Sequence, residues 1–177
     1  AYYKQDDTAQ ATAHIDRFAF EHLPPPEQLP EFLFELPELQ FPAQLNCATE
    51  LLDRRVAEGG GGRLCIQAPG GLRWTYADLQ EKANRIAHVL VQDMGLVPGN
   101  RVLLRAPNNP MLAACWFAVM KAGGIAVATM PLLRAKELKG IVAKGEVTHA
   151  LCDAALAEEL QATLTECPQL KQVRYFN

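Results

Sequence analysis

Residues 99–131 read GNRVLLRAPNNPMLAACWFAVMKAGGIAVATMP. Residues 101–106 form a short apolar run entered through the turn signal Pro98, Gly99, Asn100, and this pattern predicts a buried strand. Asn109 then supplies a side-chain cap, and Pro110 falls in the first helical turn, where its missing N–H is no loss. Residues 111–120 are apolar on every side, and Gly123 and Gly124 stop them before a second strand-like run at 125–130. Two strands joined through a helix need a crossover, so they are expected to lie parallel.

The same alternation extends toward the C-terminus. Apolar runs at 147–152 and 172–176 alternate with helical patterns at 135–144 and 154–166, which predicts a parallel-rich sheet with flanking helices and an α/β fold class. Toward the N-terminus, Thr75 and Asp78 approximate a capping box, after which Leu79, Ala83, Ile86, Ala87, Leu90 and Met94 share one helical face. Residues 63–67 and 72–76 flank Pro69, Gly70 and Gly71, a hairpin signal. Leu45, Ala48, Leu51, Leu52 and Val56 recur at helical spacing over 44–58, before the run Gly59, Gly60, Gly61, Gly62.

Upstream the composition changes. Half of the twelve prolines fall between Pro24 and Pro42, together with or beside five of the seven phenylalanines: Phe18, Phe20, Phe32, Phe34 and Phe41. Proline favours extended backbone and phenylalanine needs burial, so residues 1–43 are read as an arm that docks aromatic side chains on an α/β body at 44–177. The helix at 111–120, apolar all round, expects neighbours on every side, whereas one sheet covers one side. A further layer, or a second copy of the chain, is expected to meet it.

Composition removes several classes of function. A net charge of −3 with dispersed Lys and Arg gives no footprint for nucleic acid. There is no serine, which excludes a serine nucleophile. Cys47, Cys65, Cys115, Cys152 and Cys167 are widely separated and lie mostly in apolar runs, the habit of reduced thiols, so a cytoplasmic setting without membrane insertion is expected. The four glycines precede a strand where a phosphate loop would follow one. His14, His22, His88 and His149 lack metal-ligand spacing, so no metal ligands are assigned. Asp6 with Asp7, and Glu158 with Glu159, are adjacent and do not share a helix face. Arg134, Lys136, Lys139 and Lys144 could attract a phosphorylated ligand, but a solvated helix face is the preferred reading.

Trp74, Thr75, Tyr76, Ala77, Asp78 and Leu79, followed by Ala83, Asn84, Arg85 and Ile86, resemble the first core motif of the adenylate-forming ligase superfamily. Gly95, Leu96, Pro98, Gly99, Arg101 and Val102 resemble its next turn and strand, and Pro107 with Asn108 its following loop. Lys121, Ala122, Gly123, Gly124, Ala126, Val127 and Pro131 resemble the second core motif. In the arm, His22, Leu23, Pro24, Pro25, Pro26, Pro30, Glu31 and Phe32 look like the start of 2-aminobenzoate and benzoate:CoA ligases. Asn46, Cys47 and Asp53 continue that likeness, and Met130, Pro131, Leu132, Leu133 and Arg134 fit the same branch.

The resemblance, running from about Ala13 to Phe176, implies an N-terminal subdomain of an AMP-forming acyl/aryl-CoA ligase. Such enzymes adenylate a carboxylate with ATP and Mg2+, then exchange AMP for the thiol of CoA. It implies an aromatic acid as substrate and places Met130, Pro131 and Leu132 at the CoA entry surface. The family's phosphate loop and later motifs do not occur in these residues. The isolated chain is therefore expected to lack catalytic residues, to be inactive, to hold none of these ligands tightly and to self-associate through uncovered apolar surface. The alternative expectation is a stand-alone binding module that pairs with a second polypeptide.

Overall fold

The computed structural model describes residues 12–31, 33–42 and 44–177. Asp6, Asp7 and Phe32, discussed above, lie outside the described residues. After a short helix, α1 (Phe18–Glu21), a two-stranded antiparallel hairpin forms from β1 (Leu64–Gln67) and β2 (Arg73–Thr75). Then come α2 (Tyr76–His88), β3 (Arg101–Arg105), α3 (Pro110–Lys121), β4 (Ile125–Thr129), α4 (Ala135–Lys144), β5 (His149–Asp153), α5 (Ala157–Leu164) and β6 (Gln172–Phe176). The last four strands make one parallel sheet in the order β4-β3-β5-β6, with Leu103 paired to Val127 on one side and Ala150 on the other.

Alternation along β3 assigns its side chains to two faces. Val102 and Leu104 pack with Leu90, Met94, Cys115, Ala118 and Val119, which puts α3 and the end of the α2 segment on one face. Leu103 packs with Val142, Val147, Cys152 and Leu160, which puts α4 and α5 on the other. A third cluster joins Leu52, Trp74, Leu79, Ala83 and Ala114, and ties the hairpin to α2 and α3.

The local signals act as their chemistry requires. The Thr75 hydroxyl accepts from the Asp78 amide at 3.2 Å, and the Asp78 carboxylate accepts from the Thr75 amide at 2.8 Å, completing the capping box. Asn109 caps α3 by accepting from the Leu112 amide at 2.9 Å. Two elements differ from expectation. The run predicted over 44–58 is helical but includes wide i→i+5 turns at Thr49–Asp53 and Val56–Gly60, and Gly59 closes it at φ 85°. The run predicted over 154–166 begins as a tight turn, Ala154–Leu156, because Asp153 takes the Ala155 amide at 3.0 Å before α5 starts. Helix α3 buries Ala114, Cys115, Ala118 and Val119, while Trp116 stays 41% exposed despite its apolar surroundings in sequence.

The arm attaches at the start of β3. The Ile15 and Asp16 amides both donate to the Pro98 carbonyl at 3.0 Å, Asn100 donates to the Asp16 carboxylate at 2.9 Å, and Arg101 ion-pairs with it. The Arg101 guanidinium also sits 4.5 Å over the Phe18 ring. Further along, Phe34 and Phe41 meet edge to face at 5.9 Å, and Leu23, Leu33, Leu36 and Phe41 are exposed.

Buried His149 links β5 to the segment after α2. Its Nε2 lies 3.0 Å from the Met94 carbonyl and its Nδ1 2.7 Å from the Thr148 hydroxyl, so a neutral ring donates at Nε2 and accepts at Nδ1. Burial lowers its pKa from the ordinary 6.5, and the Met94 carbonyl opposes this in part. The stability involved is complete above the unfolded value of 6.5 and is lost as pH falls from there through the lower folded value, because only the unfolded chain then takes up the proton. His149→Gln is expected to flatten the decline in Tm that sets in as pH falls below about 6.5. Parallel slopes for both proteins would show that His149 is not the group responsible.

Candidate functional site

Strands β3 and β5 are neighbours, yet the chain leaves their carboxyl ends for opposite faces, toward α3 and α5 respectively. In open parallel sheets this reversal creates a crevice outside the strand ends, the usual place for a ligand. Arg105 ends β3, Asp153 ends β5, and the segment that holds Met130, Pro131 and Leu132 follows β4 at the same edge. The sheet thus brings together residues far apart in sequence.

Arg105 is 1% exposed. Its NH2 group donates to the Leu133 carbonyl at 2.9 Å and the Pro131 carbonyl at 3.2 Å, its NH1 to the Met130 carbonyl at 3.3 Å, and its Nε to the Leu156 carbonyl at 3.3 Å. A buried cation is tolerable only when its donors are satisfied, and here backbone oxygens satisfy them. The loop is further closed by the Leu133 amide on the Met130 carbonyl at 3.2 Å. At the end of β4, the Thr129 hydroxyl donates to the Leu104 carbonyl at 3.1 Å. Glu159 accepts from the Ala135 amide at 2.8 Å and ion-pairs with Arg134, and the Arg134 hydrogen bond, then the Ala135 amide, holds its carboxyl below the ordinary range. The backbone is pinned from both sides, while the side chains of Met130 and Leu132 are 62% and 81% exposed.

Asp153 is buried and accepts from Asn109 at 2.9 Å, Asn177 at 2.7 Å and the Ala155 amide. Both of its oxygens are engaged, so it organises the crevice floor rather than offering a free base. Burial pushes the Cys152 thiol up to about 11 and the Cys115 thiol up to about 12, which leaves neither as a thiolate near neutrality. Cys167 is buried as well, whereas Cys47 is exposed and Cys65 half-buried. A paired nucleophile and base are not among the described residues of this edge.

The other motifs fall elsewhere. The glycine run closes the helical segment that ends at Gly60 and leads into β1. Of the basic cluster, Arg134 pairs with Glu159 and Lys139 with Glu166, which ties α4 to α5. His22 stacks on Phe18, far in sequence from His149. Among the described residues no three His, Cys, Asp or Glu side chains converge as a metal group, and no helix is long and apolar enough to cross a membrane. Sequence reading missed the buried arginines: Arg101 and Arg105 bracket Val102, Leu103 and Leu104 at a spacing that puts both on one face of β3. That spacing was the available signal.

A parallel sheet of this order, with a strand reversal between β3 and β5, defines a doubly wound α/β fold. A family model described as AMP-binding enzyme matches residues 52–176, and the chain belongs to that family of adenylate-forming acid ligases. The salicyl-AMP ligase / salicyl-S-ArCP synthetase of Mycobacterium tuberculosis is 38% identical over 96 residues, 54% of this chain and 16% of that protein. Acyl-coenzyme A synthetase ACSM5, mitochondrial, of Rattus norvegicus is 26% identical across 87% of this chain and 29% of its own length. The fold is that of the anthranilate CoA ligase AuaEII solved with anthranoyl-AMP (TM-score 0.71, 19% identity, 77% of this chain, 26% of that one). A benzoate CoA ligase from Burkholderia xenovorans LB400 gives a TM-score of 0.68 at 22% identity over 76% of this chain and 26% of its own. The chain thus spans less than a third of the length of each of these proteins.

Proposed function

We propose that this chain is the N-terminal portion of an ATP-dependent ligase that joins an aromatic carboxylic acid, such as 2-aminobenzoate or benzoate, to CoA. In that reaction the carboxylate displaces diphosphate from ATP to give an acyl adenylate, and the CoA thiol then displaces AMP. The family match over 52–176 carries the ligase reading. Likeness in the arm and relatives that take salicylate, anthranilate and benzoate favour an aromatic acid. Met130, Pro131 and Leu132 form the CoA entry surface, a reading supported by a pinned backbone that exposes apolar side chains at the sheet's ligand edge. The phosphate loop and later motifs that serve ATP and Mg2+ in this family do not occur among these 177 residues, so this reading assigns no turnover to them alone.

The test is diphosphate exchange into ATP by the native protein that carries this segment, isolated with an antibody to it and offered benzoate, 2-aminobenzoate, malonate and a medium-chain fatty acid in turn. Exchange with the aromatic acids supports the reading; exchange with the aliphatic acids alone overturns the choice of substrate. Thioester turnover by the purified 177 residues would overturn their assigned inactivity. A second reading, a binding module that pairs with a second polypeptide, is favoured by the exposed Trp116 on α3. It predicts that a defined partner co-purifies with the untagged native protein.

A further inference from the structure

We propose that Arg105 is the positioning residue for the Met130–Leu133 loop, and that its buried guanidinium makes Met130 and Leu132 a preformed apolar ledge. The ledge would receive the apolar methylene stretches of the flexible, amide-containing arm of a thiol cofactor. This rests on the CoA surface assigned above and adds the residue that builds it.

Three observations carry the inference. First, Arg105 spends its planar fork on the carbonyls of Met130, Pro131 and Leu133 at 2.9–3.3 Å, all within one turn, while its Nε reaches across to the Leu156 carbonyl beyond β5. A strand-end arginine needed only for charge would be as well served by a carboxylate; this one reads backbone geometry. Second, the loop is closed on its far side by the Glu159 carboxylate on Arg134 and the Ala135 amide, so a fixed backbone spans two anchors. Third, within that fixed frame Met130 and Leu132 point their apolar side chains at solvent. Apolar groups already held in place lose little freedom when a ligand covers them, which favours binding without a large ordering cost. Lysine cannot reproduce the arrangement, because its three donors radiate from one nitrogen, whereas Arg105 engages four carbonyls from three.

The experiment uses the 177-residue chain and residue-resolved amide hydrogen exchange by NMR, with Arg105→Lys and Arg105→Met. In both, protection of the Leu133 amide, which donates to the Met130 carbonyl, is expected to fall at least about tenfold, while amides of β3 and α4 keep theirs. A uniform loss across the sheet, or unchanged protection at Leu133, overturns the proposal. Arg105→Lys retains the charge and covers the case in which Arg105→Met does not fold. CoA is then titrated into the wild-type chain. Shifts confined to the Met130 and Leu132 resonances, weakened about tenfold in Arg105→Lys, support both readings. If CoA moves nothing while Leu133 still loosens in the variants, the positioning role stands and the CoA surface falls.

Discussion

Replacing Gly99 by alanine is expected to undock the arm from the sheet. Gly99 has φ 94°, a conformation that costs an L residue roughly 1–2 kcal/mol. A Cβ there would lie 2.1 Å from the Asp16 carbonyl oxygen and 2.9 Å from the His14 Cβ, closer than any real contact. The arm must retreat, and with it go the two amides on the Pro98 carbonyl and the Asp16 carboxylate on Asn100 and Arg101. Arg101 would keep the carbonyls of Gly99, Gly145 and Glu146, so the strand should survive. We expect a stability loss on the order of 2 kcal/mol or more, read as a lower Tm, with faster tryptic cleavage at Arg17. Wild-type cleavage kinetics in the alanine variant would show that the arm is not held at this point. Low pH should mimic the lesion. Burial alone would raise the Asp16 pKa, but the Phe18 amide, Arg101 and Asn100 together pull it below the ordinary 3.8. Its contribution is therefore present above 3.8 and disappears as pH falls through the lower folded value, a window separate from that of His149.

Leu103→Ala is expected to cost about 2–5 kcal/mol, the range for truncating a large side chain at a site that cannot collapse. Leu103 is fully buried at the centre of β3, with β4 and β5 paired on either side and Val142, Val147 and Leu160 above it. The paired backbone prevents the strand from sagging into the space, so most of the cavity should persist. Denaturant unfolding with an unchanged slope and a lower midpoint is the expected form of the result. A shift below about 0.5 kcal/mol would mean that β3 is not the packed centre of the domain.

The fold was readable because its signals are local. The capping box at Thr75 and Asp78, the cap at Asn109 with Pro110, and the switch from helix to strand at Gly123 and Gly124 each act within a few residues. Their order dictated alternating strands and helices. Where reading fell short, the cause was nonlocal. The uniform apolarity of residues 111–120 could not reveal that Trp116 would face outward, because that depends on which elements pack against α3. The basic cluster at α4 reads mainly as a solvated helix face, and nothing local shows that Arg134 pairs with Glu159 and Lys139 with Glu166.

The candidate site divides in the same way. Met130, Pro131 and Leu132 were singled out by resemblance, but nothing near them in sequence says what holds them. Arg105 is 25 residues from Met130 along the chain and meets it only because β3 and β4 pair in parallel and end at the same edge. Sequence alone determined the elements, their order and the parallel α/β class, since capping, turn chemistry and hydrophobic period are properties of neighbouring residues. Only the tertiary structure decided that two arginines would be buried, that the arm would meet the sheet at Gly99, and that the carbonyls of the loop after β4 would be held by Arg105, because each depends on a partner that sheet pairing brings from a distant part of the chain.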